Sequence, residues 1–176
     1  QITDAPIDVA TEIFTRLNVG GKPLSPFEIM VAKTYDGIAG FDLAEQFESF
    51  VGELAEIEYE TIPESNLLQA LAIFLGKEPK KKAILRLSKG DVIATWPLVV
   101  DGMKRAIDYF RTAYEIPASR LLPYSALIIP FAYFFHLHKK NPAGNRAKFL
   151  EDFFWRVSLS GRYSQGLEGR LFQDIS

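Results

Sequence analysis

Apolar residues recur along this chain at intervals of three or four positions, which is the period of an amphipathic α-helix. Four stripes of this kind follow one another: Leu43, Phe47, Phe50, Val51 and Leu54; Leu67, Leu71, Phe74 and Leu75; Trp96, Val99, Val100, Met103, Ile107, Phe110 and Tyr114; and Phe149, Leu150, Phe153 and Val157. We find no convincing alternation of apolar and polar residues, as a half-buried strand requires, and no internal repeat. The pattern predicts an all-α protein.

Glycine and proline interrupt the stripes and set the number of predicted helices. We expect breaks at residues 37–40, 76–79, 89–90, 116–117 and 141–144. Short loops at these points give about seven or eight helices in an orthogonal or bundle-like domain. A chain of 176 residues is long enough for one good core. We therefore expect residues 1–40 to form a helix–elbow–helix unit that packs with a helical domain at 41–176.

The most apolar stretch, residues 121–135, reads LLPYSALIIPFAYFF. It is shorter than the roughly 20 residues that a membrane-spanning helix needs. We expect a helix that is buried on all sides of a bundle and kinked at Pro130, because proline removes an intrahelical hydrogen bond. No membrane partner is predicted. Pro97 is expected near the start of its helix, where proline is tolerated.

The composition is that of a folded protein with nearly balanced charge. Apolar residues make up 48% of the chain and charged residues 24%, which is typical of globular and not of disordered proteins. The net charge of −2 provides no overall basic field of the kind that drives non-specific DNA binding. The absence of cysteine excludes disulfides, thiolate metal ligands and cysteine catalysis, and it agrees with the cytoplasmic location that we expect.

A complete helix-start signal begins at Ser25. Serine is a favoured N-cap, the following proline suits the first helical position, and Glu28 stands where a capping-box carboxylate reaches back to the cap. Two glycines at positions 20–21 end a preceding helix, so two helices meet at a glycine elbow. The segment 61–64 has the same spacing and predicts a second capping box.

Two segments resemble a known protein family. The first is similar to the FxRLNxGGxxLSxxE segment of GmrSD-type restriction proteins, which lies toward the end of a ParB/sulfiredoxin-like domain. Its matching residues are Phe14, Arg16, Leu17, Asn18, Gly20, Gly21, Leu24, Ser25 and Glu28. The second, weaker likeness is to the W…SxRYS…E…DI segment that follows the helical part of those proteins. Its matching residues are Trp155, Ser160, Arg162, Tyr163, Ser164, Glu168, Asp174 and Ile175.

Such proteins are modification-dependent, or type IV, restriction factors linked to phage defence in bacteria. The resemblance implies an N-terminal sensor domain that hydrolyses a nucleoside triphosphate and a C-terminal nuclease domain that uses a divalent metal. Neither the family's Asp-Gly-Gln-Gln-Arg nucleotide motif nor its His-based nuclease motif occurs in this chain. We therefore expect a piece of a longer NTP-dependent endonuclease: a helical scaffold with no catalytic residue or cofactor of its own, whose partners are the flanking domains of the same chain.

A second interpretation stays open. The 14 phenylalanines and 7 tyrosines supply apolar surface beyond what one core must absorb. The chain would then be a stand-alone helical interaction module that binds a partner protein through an aromatic groove and has no catalytic activity. The first interpretation allows contacts with the DNA backbone, whereas a pure protein-binding module would show none. A homo-oligomer is possible in either case.

The elbow contains the candidate nucleotide contacts. Its glycines and lysine do not form a Walker loop, because the spacing is wrong and a proline follows the lysine. The resemblance implies instead that the edge of the nucleoside triphosphate site is formed by Arg16, Asn18, Gly20, Gly21 and Lys22. The alternative is a salt bridge for Arg16 and a loop-bracing hydrogen bond for Asn18.

A basic segment at residues 77–89 supplies the candidate DNA contacts. Phosphate contacts require only local positive charge, which this segment has despite the acidic balance of the whole chain. The predicted DNA-backbone contacts are Lys80, Lys81, Lys82, Arg86 and Lys89. The alternative is a solvated helix face. A second basic set consists of Arg156, Arg162 and Arg170, and we favour a role for Arg162 and Tyr163 in bracing the join to the next domain.

The remaining polar residues show no catalytic pattern. His136 and His138 are two positions apart, which on a helix turns their side chains about 200° away from each other, so they cannot clamp one metal together. The acidic run of Glu56, Glu58 and Glu60 is typical of a solvated loop. We predict no catalytic residue and no metal ligand in this chain.

Overall fold

The computed structural model describes residues 23–175, and this part of the chain folds into helices without a β-sheet. The eight α-helices are α1 (Pro26–Thr34), α2 (Leu43–Ala55), α3 (Glu64–Phe74), α4 (Lys81–Ile84), α5 (Lys89–Ala113), α6 (Ile128–Leu137), α7 (Asn145–Leu159) and α8 (Leu167–Ile175). Two 3₁₀ turns, Ser119–Leu121 and Ser125–Leu127, lie between α5 and α6. Within the described range the only strand-like pairing is an isolated bridge between Asp36 and Phe41. The prediction of an all-α domain is confirmed.

The core is built on the pairing of α5 with α6, the most extensive helix contact in the described structure. Val99, Met103 and Phe110 of α5 and Phe131 of α6 are completely buried in it. Helix α3 packs against both, and its residues 66–73 are all buried. A helix that is covered on several sides loses the polar face of an ordinary surface helix. The apolar stripes therefore identified the elements of the core correctly.

Helix α1 begins with the capping box that the sequence predicts. The amide of Glu28 donates to Ser25 Oγ at 3.1 Å, and the Ser25 amide donates to Glu28 Oε2 at 2.7 Å. The serine thereby satisfies one of the amides that the first helical turn leaves without an intrahelical partner, which stabilises a helix by about 1 kcal/mol. At the other end, Lys33 Nζ donates to the Leu85 carbonyl at 2.9 Å and ties α1 to the chain after α4.

The second predicted capping box is wrong. Helix α3 begins at Glu64 with Pro63 as its N-cap, and no side chain caps it. The hydroxyl of Thr61 lies instead 2.5 Å from the hydroxyl of Ser119, in the first 3₁₀ turn. Ser119 also donates its amide to the Glu58 carbonyl at 2.9 Å. The Thr61 hydroxyl thus pairs with a residue 58 positions away and does not cap the helix, although its spacing from Glu64 is that of a capping box.

Helix α5 begins earlier than its apolar stripe suggests. Ser88 is the N-cap and accepts a hydrogen bond from the Asp91 amide at 3.1 Å. Pro97 therefore lies inside the helix and not near its start. Proline has no amide hydrogen, so the carbonyl four residues earlier, at Ile93, loses its usual partner. The side chain of Pro97 is exposed, which leaves that carbonyl on the solvent side of the helix.

The apolar stretch 121–135 is not one kinked helix. It starts with the two 3₁₀ turns, and α6 begins only at Ile128. Pro130 is the third residue of α6, in the first turn, where a helical amide has no intrahelical partner to lose. The predicted kink at Pro130 is therefore wrong, although Ile128, Ile129 and Phe131 are completely buried as expected. None of the helices in residues 23–175 combines the length and the apolar character that crossing a membrane requires.

The C-terminal end contains one helix more than the stripes predict. Helix α7 stops at Leu159, and Gly161 follows with a φ of +66°, as the sequence indicates. The chain then turns into α8, whose Leu171 is completely buried and which packs against α6. Leu167, Leu171 and Ile175 recur at intervals of four and face the core, so the sequence contained a signal for this helix that our prediction missed.

Candidate functional site

The five candidate nucleotide contacts at the elbow, Arg16, Asn18, Gly20, Gly21 and Lys22, lie outside the described residues. The described structure starts at Pro23 and includes the capped start of α1 next to them. The role of the five residues therefore stays a prediction.

The basic segment forms a well-anchored corner of the described structure. Its short helix α4 begins with the amides of Ala83 and Ile84 donating to the Lys80 carbonyl at 2.9 and 3.0 Å. Ile84 and Leu87 are each 5% exposed and fix the segment to the core. The cationic side chains of the segment all remain at the surface. The segment is thus fixed to the core by Ile84 and Leu87, and its positive charges face solvent.

The predicted DNA contacts fall into two groups. Lys80 Nζ lies 2.9 Å from Glu78 Oε2, and Lys89 Nζ lies 2.9 Å from Asp36 Oδ2. The backbone amide of Ala39 and the ion pair with Lys89 hold the pKa of Asp36 below its ordinary value. The other three residues form no ion pair with any residue in 23–175: Lys81, Lys82 and Arg86.

The C-terminal motif residues meet around one carboxylate. Arg162 Nε donates to both oxygens of Asp174, at 3.0 and 2.9 Å, and its Nη2 donates to Oδ1. The Tyr163 hydroxyl donates to Asp174 Oδ2 at 2.9 Å. Tyr163 is 5% exposed, and burial together with the nearby Asp174 charge raises its pKa. The hydrogen bonds to Asp174 likewise raise the pKa of Arg162.

This cluster fixes α8 to the turn after α7. Arg170 Nη1 donates to the Arg162 carbonyl, so both arginines hold the turn and the helix together. Arg156 is different, because it is exposed on α7 and forms no ion pair within the described part. The second basic set is therefore not one surface. Asp174 is one of the motif residues, but the sequence did not predict its contact with Arg162. That contact forms because α8 folds back onto the turn after α7.

The outer face of α7 carries apolar side chains that the described residues leave uncovered. Trp155 is 52% exposed and Leu159 is 80% exposed. Together with Asp152 and Arg156 they line a shallow depression on this helix. The sequence pattern marks these positions as the face opposite to Leu150, Phe154 and Val157, which are buried. The position of Trp155 on this face was therefore the sequence signal for an exposed apolar patch.

The two histidines contact aromatic rings. His136 packs against Phe74 with ring centroids 4.8 Å apart, and His138 packs against Phe134 at 4.5 Å. Of the acidic run, Glu58 pairs with Arg120 at the surface, at 3.4 Å. Within residues 23–175 no three side chains of the metal-binding types are placed to hold an ion together.

Comparisons of the chain with protein-family models, with curated proteins and with solved structures found no match. The resemblance to GmrSD-type proteins therefore stays a prediction from the sequence motifs.

Proposed function

We propose that this chain is a helical scaffold of a GmrSD-type, modification-dependent restriction protein. It joins a sensor domain that hydrolyses a nucleoside triphosphate to a nuclease domain that uses a divalent metal. The observation that supports this most directly is the cluster of Arg162, Tyr163 and Asp174. Three residues of the C-terminal motif bind one another, which is what a structural brace requires.

The packing of the core suits a part that transmits movement. Helix α5 is 25 residues long, so at about 1.5 Å per residue it spans much of the domain. It is locked to α6, and α6 contacts α8. Close-packed interiors have low compressibility, so a displacement at one end of such a stack is passed on and not absorbed. In the proposed function, a change at the sensor side reaches the end of α8 by this route.

DNA contact is part of the proposal. Lys81, Lys82 and Arg86 lie on one corner and form no ion pair within residues 23–175. Each cation that neutralises a phosphate releases counterions into solution. The contact would be to the DNA backbone and would position the duplex without reading its sequence.

Phage challenge of cells that carry the complete gene tests the scaffold role. Cells with the wild-type gene should restrict a phage with modified bases and should spare the same phage grown without the modification. Asp174→Asn should abolish restriction, because it removes the carboxylate that holds α8, whereas Asp152→Asn on the outer face of α7 should keep it. Equal restriction by the Asp174 variant, at equal protein level, would contradict the scaffold role.

One observation favours a second candidate function, a helical interaction module. Trp155 and Leu159 are exposed on α7 beside Asp152 and Arg156, which form no ion pair within the described residues. In an antiparallel pairing of two α7 helices about a two-fold axis, Asp152 of each copy meets Arg156 of the other. The charges of this face are therefore self-complementary, and a second copy of the chain is the occupant that fits it.

Sedimentation velocity over a range of concentrations tests this second function. Asp152→Arg should weaken the dimer, because it places like charges opposite each other. The double swap Asp152→Arg with Arg156→Asp should restore it. A chain that stays monomeric, or a swap that does not restore association, would exclude α7 as the interface.

A further inference from the structure

A short loop between α1 and α2, residues 36–41, presents one apolar side chain to solvent. Ile38 lies at the tip of this loop and is 101% exposed, so the fold buries none of it. The Tyr35 ring just before the loop is half exposed, and a Cβ added at Gly37 would be 3.5 Å from its hydroxyl. Neither the scaffold role nor the α7 interface uses this loop.

The loop is braced by its own hydrogen bonds. The backbones of Asp36 and Phe41 exchange two hydrogen bonds of 2.9 Å, which close the loop at its base. Asp36 Oδ1 also accepts from the amides of Ile38 and Ala39, at 3.1 and 2.9 Å. Phe41 is buried and makes a T-shaped contact with Trp96 of α5. These contacts preorganise the loop, so it loses little conformational freedom when its tip binds a partner.

The loop lies beside the basic segment. Asp36 Oδ2 is 2.9 Å from Lys89 Nζ, and Lys33, in the last turn of α1, donates to the Leu85 carbonyl at 2.9 Å. Both contacts join the chain around the loop to the end of the segment at residues 77–89. Asp36 is the one acid of the loop, and its pairing with Lys89 offsets the charge that would repel a polyanion.

An apolar tip next to cations fits a partner that has an anionic surface and an apolar interior. Duplex DNA and an anionic bilayer are both built in this way. Binding to a bilayer grows with the apolar area that enters it, and one isoleucine with a half-exposed tyrosine offers little. For DNA a single side chain is enough, because apolar wedges enter between base steps from the minor groove. The small residues at positions 37, 39 and 40 keep the tip narrow, as the roughly 6 Å width of that groove requires.

We propose that Ile38 is a wedge that enters the minor groove of duplex DNA and unstacks one base step, while Lys81, Lys82 and Arg86 contact the backbone. This inference rests on the DNA contact proposed above and adds a deformation of the duplex to it. Pyrimidine–purine steps such as TA are the easiest to unstack. The wedge therefore favours these steps without forming a hydrogen bond to any base.

A duplex in which 2-aminopurine replaces adenine at TA steps tests the wedge, because the fluorescence of this base rises when it is unstacked. Saturating wild-type protein should raise the fluorescence. Ile38→Ala should remove most of the rise and leave the slope of log affinity against log salt unchanged, since Ile38 neutralises no phosphate. Lys81→Glu with Lys82→Glu should reduce that slope. Leu121→Ala, the matched control at another exposed apolar residue, should change neither quantity.

The outcomes separate the wedge from the backbone contact. Binding of the wild type without a rise in fluorescence, or a rise that Ile38→Ala keeps, overturns the wedge and leaves the backbone contact in place. No binding to any duplex overturns both. Binding to vesicles of anionic lipid that depends on Ile38, without a rise in 2-aminopurine fluorescence, assigns the tip to a lipid surface and also overturns the wedge. Because Ile38 is fully exposed, Ile38→Ala should melt at the wild-type temperature, which keeps these comparisons valid.

Discussion

Gly102 of α5 lies directly against the carbonyl of Ala132 in α6. A Cβ atom added at Gly102 would be 2.7 Å from the Ala132 oxygen and 3.1 Å from the ring of Phe74. Real side chains do not approach a carbonyl oxygen this closely, so only glycine permits the two central helices to pack at this distance.

Gly102→Ala should therefore destabilise the domain by about 2 kcal/mol, the cost typical of overpacking a tight core. Gly52→Ala is the matched control, because position 52 is exposed in α2 and a Cβ there meets nothing within 4 Å. The control should gain about 0.5–1 kcal/mol from the better helix propensity of alanine. Urea unfolding of the three proteins measures both free energies, and a Gly102 variant as stable as the control would exclude the close approach.

The brace at the C-terminus gives a second prediction. Asp174→Asn keeps the size of the side chain but removes the charge that accepts from Arg162 and Tyr163. Hydrogen bonds to a charged group contribute about 1.5–3 kcal/mol, and the partly exposed Arg162 places this one at the lower end. At about 2–4 °C per kcal/mol for a chain of this size, the melting temperature should fall by about 5 °C. Asp152→Asn should change it by less than about 2 °C, since exposed substitutions rarely cost more than about 0.5 kcal/mol.

Alkaline pH should weaken the fold through Tyr59. Its hydroxyl donates to the Ile116 carbonyl at 2.8 Å, and burial raises its pKa from 10.0 to about 12, against a smaller opposing effect of Arg111. The unfolded chain loses this proton at about pH 10, and the folded chain holds it longer. The contribution of Tyr59 to stability is thus complete below pH 10 and is lost as the pH rises through 12.

Urea unfolding of the wild type and of Tyr59→Phe at pH 8, 10, 11 and 12 measures this effect. At pH 8 the variant should be less stable by about 1 kcal/mol, for the lost hydrogen bond. Between pH 10 and 12 the two free energies of unfolding should converge and then cross, because phenylalanine has no proton to lose and the rise in the Tyr59 pKa from 10.0 to about 12 outweighs the lost hydrogen bond. A constant difference across this range would mean that the hydroxyl ionises alike in both states.

The basic corner gives a prediction about DNA. Lys81→Glu with Lys82→Glu should weaken binding to duplex DNA and should reduce the slope of log affinity against log salt by about two, one for each phosphate contact. Lys139→Glu with Lys140→Glu changes the net charge equally at an exposed pair after α6 and should have little effect. Fluorescence anisotropy at several salt concentrations compares the two. Equal losses would indicate a general charge effect and no defined contact.

Signals between residues close together in the sequence predicted much of the helical structure. The stripe from Val99 to Phe110 predicted the central helix, and Ser25 with Glu28 predicted the start of α1 to the residue. Both signals lie within a few positions along the chain, where spacing alone determines which groups can meet. Thr61 shows the limit of such local signals, because its hydroxyl pairs with the distant Ser119, which no local pattern reveals.

Contacts between residues far apart along the chain were not readable in this way. Arg105 donates to the carbonyls of His138 and Lys139 at the end of α6, and its partners lie more than 30 residues away. The unpaired oxygen of Gln69 is visible only when the burial of α3 is known. The sequence shows which residue types are present, and the packing of helices decides which of them are left without partners.

Sequencing the source gene on both sides of this segment tests the proposed function most directly. The account predicts an Asp-Gly-Gln-Gln-Arg motif upstream of Gln1 and a His-containing nuclease motif downstream of Ser176, in the same reading frame. A frame that opens near Gln1 and closes soon after Ser176 would contradict the scaffold role, and it would leave the interaction module of α7 as the function to pursue.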